Sequence, residues 1–216
     1  MHIMEGFLPP VWAVFWYAVS LVFVVYGAVK SKRLIDENPK NKALLAVAGG
    51  FIFVLSSLKI PSPVTGSCSH PTGTGISTML FGPSVTAFLS AIVLLYQALL
   101  LAHGGLTTLG ANTASMGIVG PFAGWLVYRA LKGRVSLKVN AFITAVVADW
   151  FTYVVTSLQL ALAFPGTSMI NSALTFMGIF ALTQIPVAIV EGIFSALLIG
   201  YIAQIDRNAV KEGVVA

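Results

Sequence analysis

The chain opens Met1-His2-Ile3-Met4-Glu5-Gly6, and a histidine placed second behind a free amine has particular coordination chemistry. The α-amine of Met1 and the backbone nitrogen of His2 close a five-membered ring on a metal ion. The same backbone nitrogen and the His2 imidazole Nδ1 close a six-membered one. Two residues thus offer three nitrogens in one plane, and the deprotonated amide is a strong donor. Such a set suits Ni2+, Cu2+ and, less exclusively, Co2+. It requires a deformylated and retained Met1, which the bulk of His2 favours. A fourth nitrogen completes the square, and the sequence holds only two further histidines, His70 and His103. Cys68 lies two residues before His70. A thiolate ligand there is an open alternative, although a nitrogen set has no need of sulfur.

The elements that must position these residues are membrane helices. Of the 216 residues, 57% are hydrophobic and 9% charged, with a mean hydropathy of +0.92. A soluble domain carries about 25% charged residues, so this chain cannot cover a water-facing surface. Several segments reach the roughly 20 apolar residues that a helix needs to cross the hydrocarbon core, and a helix satisfies its own backbone in lipid. The alternating strands of a membrane barrel are not seen. The net charge of +5 reflects loop topology rather than nucleic-acid binding. Residues 1–6 hold no Lys or Arg, and the first apolar stretch is too long for a signal core. Met1 is therefore expected to stay on the chain.

The apolar segments predict spans at about 7–29, 43–58, 75–82, 84–102, 113–131, 139–163 and 172–205 within a single transmembrane domain, 1–216. Five basic residues fall in 30–42, read as an aqueous loop; four fall in 129–138 and two in the C-terminal tail, leaving only Lys59 elsewhere. If all three basic regions are cytoplasmic, an even number of crossings must separate the first two. Three are clear, so the fourth must come from 60–83. Residues 60–75, IPSPVTGSCSHPTGTG, are too rich in Pro, Gly, Ser and Thr for a regular helix. Irregular backbone at membrane depth must be buried in protein, so this leg is expected to pack inward on the external side ahead of a short helix. The fold is then all-α, with about seven transmembrane helices, the N-terminus outside and the C-terminus cytoplasmic. That topology puts His70 on the same side as Met1 and His2, making it the best fourth ligand. Gly120-x-x-x-Gly124 and the series Gly192, Ala196, Gly200 are small-residue faces for helix packing, within the chain or against a partner.

Three motifs, MHIMEGFLP at 1–9, GSCSHPTGTG at 66–75 and HGGLTTLGANTASMGIVGP at 103–121, resemble the substrate-binding membrane subunits of energy-coupling-factor cobalt and nickel transporters, the CbiM/NikM family. The resemblance covers nearly the whole chain. It implies a seven-helix component that captures Co2+ or Ni2+ outside the cell, with Met1, His2 and His70 as metal ligands. His103 is implied to support the ligands rather than to bind, and Asn112, Ser69 and Thr72 are candidates for the same task or for plain loop capping. The implied partners are a transmembrane coupling subunit, two cytoplasmic ATPases and, in some systems, a small accessory membrane subunit. The implied location is the prokaryotic plasma membrane, crossed many times. No enzymatic activity and no prosthetic group are expected, the metal being cargo.

The rest of the polar inventory leaves alternatives. Asp149 and Glu191 lie inside predicted spans, where charge is costly and usually functional. They can be structural hydrogen-bond partners or a docking point for the coupling subunit. They can equally be the proton path of a stand-alone secondary transporter, the main rival function. Glu5 can neutralise the metal site or cap the first helix, and the cap is favoured. The sequence lacks a G-x-x-x-x-G-K-[ST] loop, so ATP hydrolysis must come from partners. An intramembrane metalloenzyme wants an H-E-x-x-H motif within a span, which is missing. A vitamin-binding subunit of similar architecture would use an aromatic cavity and no chelating terminus.

Overall fold

The computed structural model describes residues 1–61 and 66–205. Its helices are α1 (Pro10–Glu37), α2 (Asn41–Ser57), α3 (Thr74–Phe81), α4 (Pro83–Leu101), α5 (Leu109–Asn112), α6 (Gly120–Leu131), α7 (Leu137–Ala163) and α8 (Met169–Ile205). A π-helical stretch, Thr113–Val119, joins α5 to α6. Helices α1, α4, α7 and α8 are long and apolar enough to cross a membrane, and α2 is a shorter apolar helix. At 37 residues, α8 extends about 55 Å at 1.5 Å per residue, well beyond a hydrocarbon core of about 30 Å.

The distribution of polarity is that of a lipid-embedded body. Leu21, Val22 and Val25 on α1 and Leu182, Val190 and Leu197 on α8 are exposed, while Thr86, Gln97, Asp149, Thr156, Gln184 and Glu191 are buried. Between helices in lipid there is no hydrophobic driving force, so close packing and interhelical hydrogen bonds hold the bundle. Gln97 on α4 donates from Nε2 to the Phe53 carbonyl, 3.0 Å, and to Ser56 Oγ, 2.8 Å, tying α4 to α2. The small-residue faces serve packing within the chain. A Cβ on Gly120 would lie 2.4 Å from Thr152 Oγ1, and one on Gly192 would lie 2.7 Å from Val146, both on α7.

The closest approach joins α1 to α4. A Cβ on Gly27 would come 2.1 Å from the Ser84 carbonyl oxygen, which is backbone and cannot swing away. Gly27→Ala must therefore push the two helices apart, and is expected to destabilise the protein by about 1–3 kcal/mol. Thermal unfolding in detergent reads this directly, and an unchanged Tm would show that the two helices do not meet so closely.

Two sequence expectations need correction. The basic segment 30–42 was expected to be an aqueous loop, but α1 continues through it to Glu37 and α2 starts at Asn41. Leaving the bilayer gives a helix no reason to end, and Lys, Arg, Leu and Glu are all good helix formers. The stop is Asn38-Pro39, since the residue before proline is driven out of the α region; Asn38 is extended at φ −148°, ψ 107°. Glu5 does not cap α1, whose first turn contains no acidic residue.

From Gly66 to Gly75 the irregular leg is packed inside the protein, while Ile60 at its start is exposed. Ser67, Cys68, Ser69, His70, Thr72 and Thr74 are all buried. The eight-residue α3 that follows is also buried almost throughout.

Candidate metal centre

A small antiparallel sheet assembles the site. Its strands β1 (His2–Ile3), β2 (Ile60–Pro61) and β3 (Ser67–Ser69) lie in the order β1-β3-β2. The register pairs His2 with Cys68 and Ile3 with Ser67. Directly opposed residues of an antiparallel pair project from the same face, so His2 and Cys68 share a face, and His70 follows from the end of β3.

The N-terminal strand is held on every side. The Ile3 N–H donates to Asn112 Oδ1 at 2.7 Å, and the Ile3 carbonyl accepts from Asn112 Nδ2 at 3.0 Å and Thr108 Oγ1 at 2.8 Å. Ser67 Oγ donates to the His2 carbonyl at 2.9 Å, and the Met4 N–H to Gly66 O at 2.9 Å. Glu5 accepts from the Thr107 backbone N–H at 3.1 Å, and hydrogen bonding to Thr107 holds its carboxyl below the usual range. Gly104, at φ +76°, lets the loop lie flat on the strand; a Cβ there would be 3.1 Å from both His2 Cδ2 and Asn112 Nδ2. The Met1 side chain is fully buried and packs with Leu8, Ala111, Leu160 and Phe180. The first residue of the chain is thus a plug in the end of the bundle.

Four potential donors converge here. The side-chain ligand atoms of His2, Cys68, His70 and His103 all lie within 4.8 Å of one another, and all four residues are buried. His2 Nδ1 faces His70 Nε2 directly. His70 Nδ1 donates to the Pro71 carbonyl at 2.7 Å, which fixes the tautomer and leaves the Nε2 lone pair for its neighbour. The His103 ring lies 4.2 Å from that of His2, centroid to centroid, and its Nε2 is 3.0 Å from Cys68 Sγ. His2 Nε2 and His103 Nδ1 have no partner among the described residues.

Burial decides the protonation of this cluster. It lowers the Met1 ammonium below its ordinary value, against the opposing pull of Asp149, and lowers His2 well below its own. His103 is pushed down to about 4, again chiefly by burial. At neutral pH the His2 and His103 rings are therefore neutral, the form a metal requires. Each base has a lower proton affinity folded than unfolded. Below the ordinary histidine value of 6.5 the unfolded chain binds more protons, so stability falls as pH falls toward 4. The Tm of metal-free protein is accordingly expected to drop between about pH 7 and about pH 5. A flat profile over that interval would contradict the burial of these rings.

Two buried carboxylates stand behind the cluster. Glu191 on α8 accepts from the Thr72 N–H at 2.5 Å, the Gly73 N–H at 2.7 Å and Thr72 Oγ1 at 2.9 Å. Gln184, two turns earlier on α8, donates from Nε2 to the His70 carbonyl at 3.0 Å and to both Asp149 oxygens at 2.7 and 2.8 Å. The backbone from His70 to Gly73 is thereby anchored to α8 and, through Gln184 and Asp149, to α7.

Residues 2–209 match the family described as CbiM, cobalt uptake substrate-specific transmembrane region. A CbiM relative from Archaeoglobus fulgidus is 62% identical over the full length of both chains. The chain belongs to the CbiM family. The cobalt transport protein CbiM of Streptococcus sanguinis is 56% identical over 94% of this chain and 84% of its own. A crystal structure of a truncated transition metal transporter superposes with a TM-score of 0.81 at 26% identity, covering 94% of this chain and 99% of that one. As a CbiM protein the chain is a multi-pass, substrate-specific membrane component of cobalt uptake.

Of the residues that the sequence singles out, His2, His70 and Met1 meet at one end of the CbiM bundle, and His103 joins them within the donor cluster itself. Asn112 clamps the strand beside His2. Ser69 and Thr72 touch no histidine ring nitrogen among the described contacts; they bond Thr183 Oγ1, 2.7 Å, and Glu191 and so hold the backbone that carries His70. Sequence reasoning missed Gln184, Thr108 and Ser67. Gln184 carried a usable signal, a polar residue inside an apolar span; Thr108 and Ser67 lie in loops where hydroxyl residues are commonplace.

Proposed function

We propose that this CbiM protein captures Co2+ or Ni2+ from outside the cell through the Met1 amine, the His2 backbone nitrogen, His2 Nδ1 and His70 Nε2. The observation that carries this reading is the opposition of His2 Nδ1 and His70 Nε2 in a buried pocket that the first residues of the chain themselves close. Seven crossings, with the N-terminus external and the C-terminus cytoplasmic, belong to the same proposal, the buried helix α3 with its irregular leg supplying the parity crossing. A transmembrane coupling subunit and two cytoplasmic ATPases supply the energy, since the chain has no phosphate-binding loop of its own.

The rival reading, proton-coupled transport by Asp149 and Glu191, has less support. Both carboxylates are engaged with Gln184, Thr72 and Gly73 in anchoring the His70 segment. Proteoliposomes separate the two. Uptake of labelled cobalt is expected only with the coupling subunit, ATPases and ATP present. Uptake by this chain alone, collapsed by an uncoupler, would instead establish the secondary transporter.

A further inference from the structure

The planar nitrogen set leaves a chemical problem. Four nitrogens alone bind Ni2+ more tightly than Co2+ by the ordinary affinity order of divalent ions. A site that prefers cobalt therefore needs a feature of geometry or ligand type that Ni2+ does not exploit.

Cys68 is placed to be that feature. The strand register sets it directly opposite His2, on the same face. Its Sγ falls within 4.8 Å of the ring donors of His2, His70 and His103. The polar neighbour resolved on the sulfur is His103 Nε2 at 3.0 Å, a contact suited to hold a thiolate by an N–H donor. Cys68 is 8% exposed, so the sulfur is shielded from solvent.

We propose that the Cys68 sulfur is an apical fifth donor to the ion held by the N-terminal nitrogens, positioned by His103, and that it tilts the site toward Co2+. This rests on the nitrogen chelate proposed above. Low-spin Ni2+, d8, in a planar nitrogen field has a filled orbital along the apical axis and repels a fifth ligand. Co2+, d7, has that orbital half-filled and accepts one. On binding, the Cys68 S–H bond breaks, an S–Co bond forms and the proton leaves to solvent, with no change of oxidation state.

Purified full-length protein in detergent, titrated with Co2+ or Ni2+ alone, tests this. Co2+-loaded protein should show a sulfur-to-cobalt charge-transfer absorption in the near ultraviolet, and Cys68→Ser and Cys68→Ala should lack it. Both variants should lower the ratio of Co2+ to Ni2+ affinity by about tenfold, the scale of losing a supporting metal contact. His103→Gln should keep the band but shift it, as the sulfur loses its positioning contact. No sulfur band in the unmodified protein, or an unchanged Co2+ to Ni2+ ratio in both cysteine variants, overturns the proposal. The spectrum of the unmodified protein decides the matter even if a variant does not fold. Failure of the chelate itself looks different: a chain acetylated at the Met1 amine would then keep its affinity for both ions.

Discussion

One extra residue ahead of Met1 is expected to reduce Co2+ and Ni2+ affinity by on the order of 100-fold or more, exceeding the 10–100-fold that loss of an outer-shell contact typically brings. Two effects add. The extension moves the basic amine one residue away from the position proposed to bind the ion, and it demands space where Met1 is already fully buried. Met1 is fully buried against Leu160 and Phe180, so an added residue must expel the strand that carries His2. Acetylation of the Met1 amine separates the two, because it removes the basic nitrogen with little added bulk. Calorimetric titration of the native, acetylated and extended proteins gives the comparison. Undiminished affinity in the acetylated form would eliminate the N-terminal site.

Glu191→Ala is expected to be the most damaging single substitution in the support of the site. It strips the acceptor from the Thr72 and Gly73 N–H groups and from the Thr72 hydroxyl, all inside the bundle. A buried donor left unpaired costs about 1–3 kcal/mol, so the loss of stability should be roughly 3 kcal/mol or more. His70 lies two residues before Thr72, and metal affinity should fall by about tenfold as its segment loosens. Glu191→Gln keeps one acceptor oxygen and should lose less of both. A proton-relay role predicts the opposite pattern, with transport lost in Glu191→Gln while stability and metal binding hold. Thermal unfolding and metal titration of the two variants distinguish the cases, and an unchanged Tm in Glu191→Ala would remove the anchoring role.

The membrane class was legible from composition alone, because a chain with 9% charged residues has no other place to be folded. The inward packing of the polar leg was legible from charge parity, a global property of the loops. Helix limits were not: 30–37 reads as aqueous and is helical, since polarity reports the solvent around a segment and not its backbone conformation. Glu5 reads as a helix cap and binds Thr107 instead, a partner about a hundred residues away that no local pattern announces. His103 and Cys68 were visible as residue types, but their nearness to His2 depends on a two-residue strand and its register. Strands so short have no periodicity to read. The grip of Gln184 on the His70 carbonyl is likewise a product of tertiary packing between α8 and the sheet.

The burial of Met1 against Leu160 and Phe180 also bears on the order of events during synthesis. Strand β1 cannot reach its final place until α7 and α8 have been made and inserted. Closing a loop of that length is entropically costly, so the strand docks last, onto a nearly finished bundle. A truncated or half-inserted chain therefore has no pocket for the terminus to fill and no opposed pair of imidazoles.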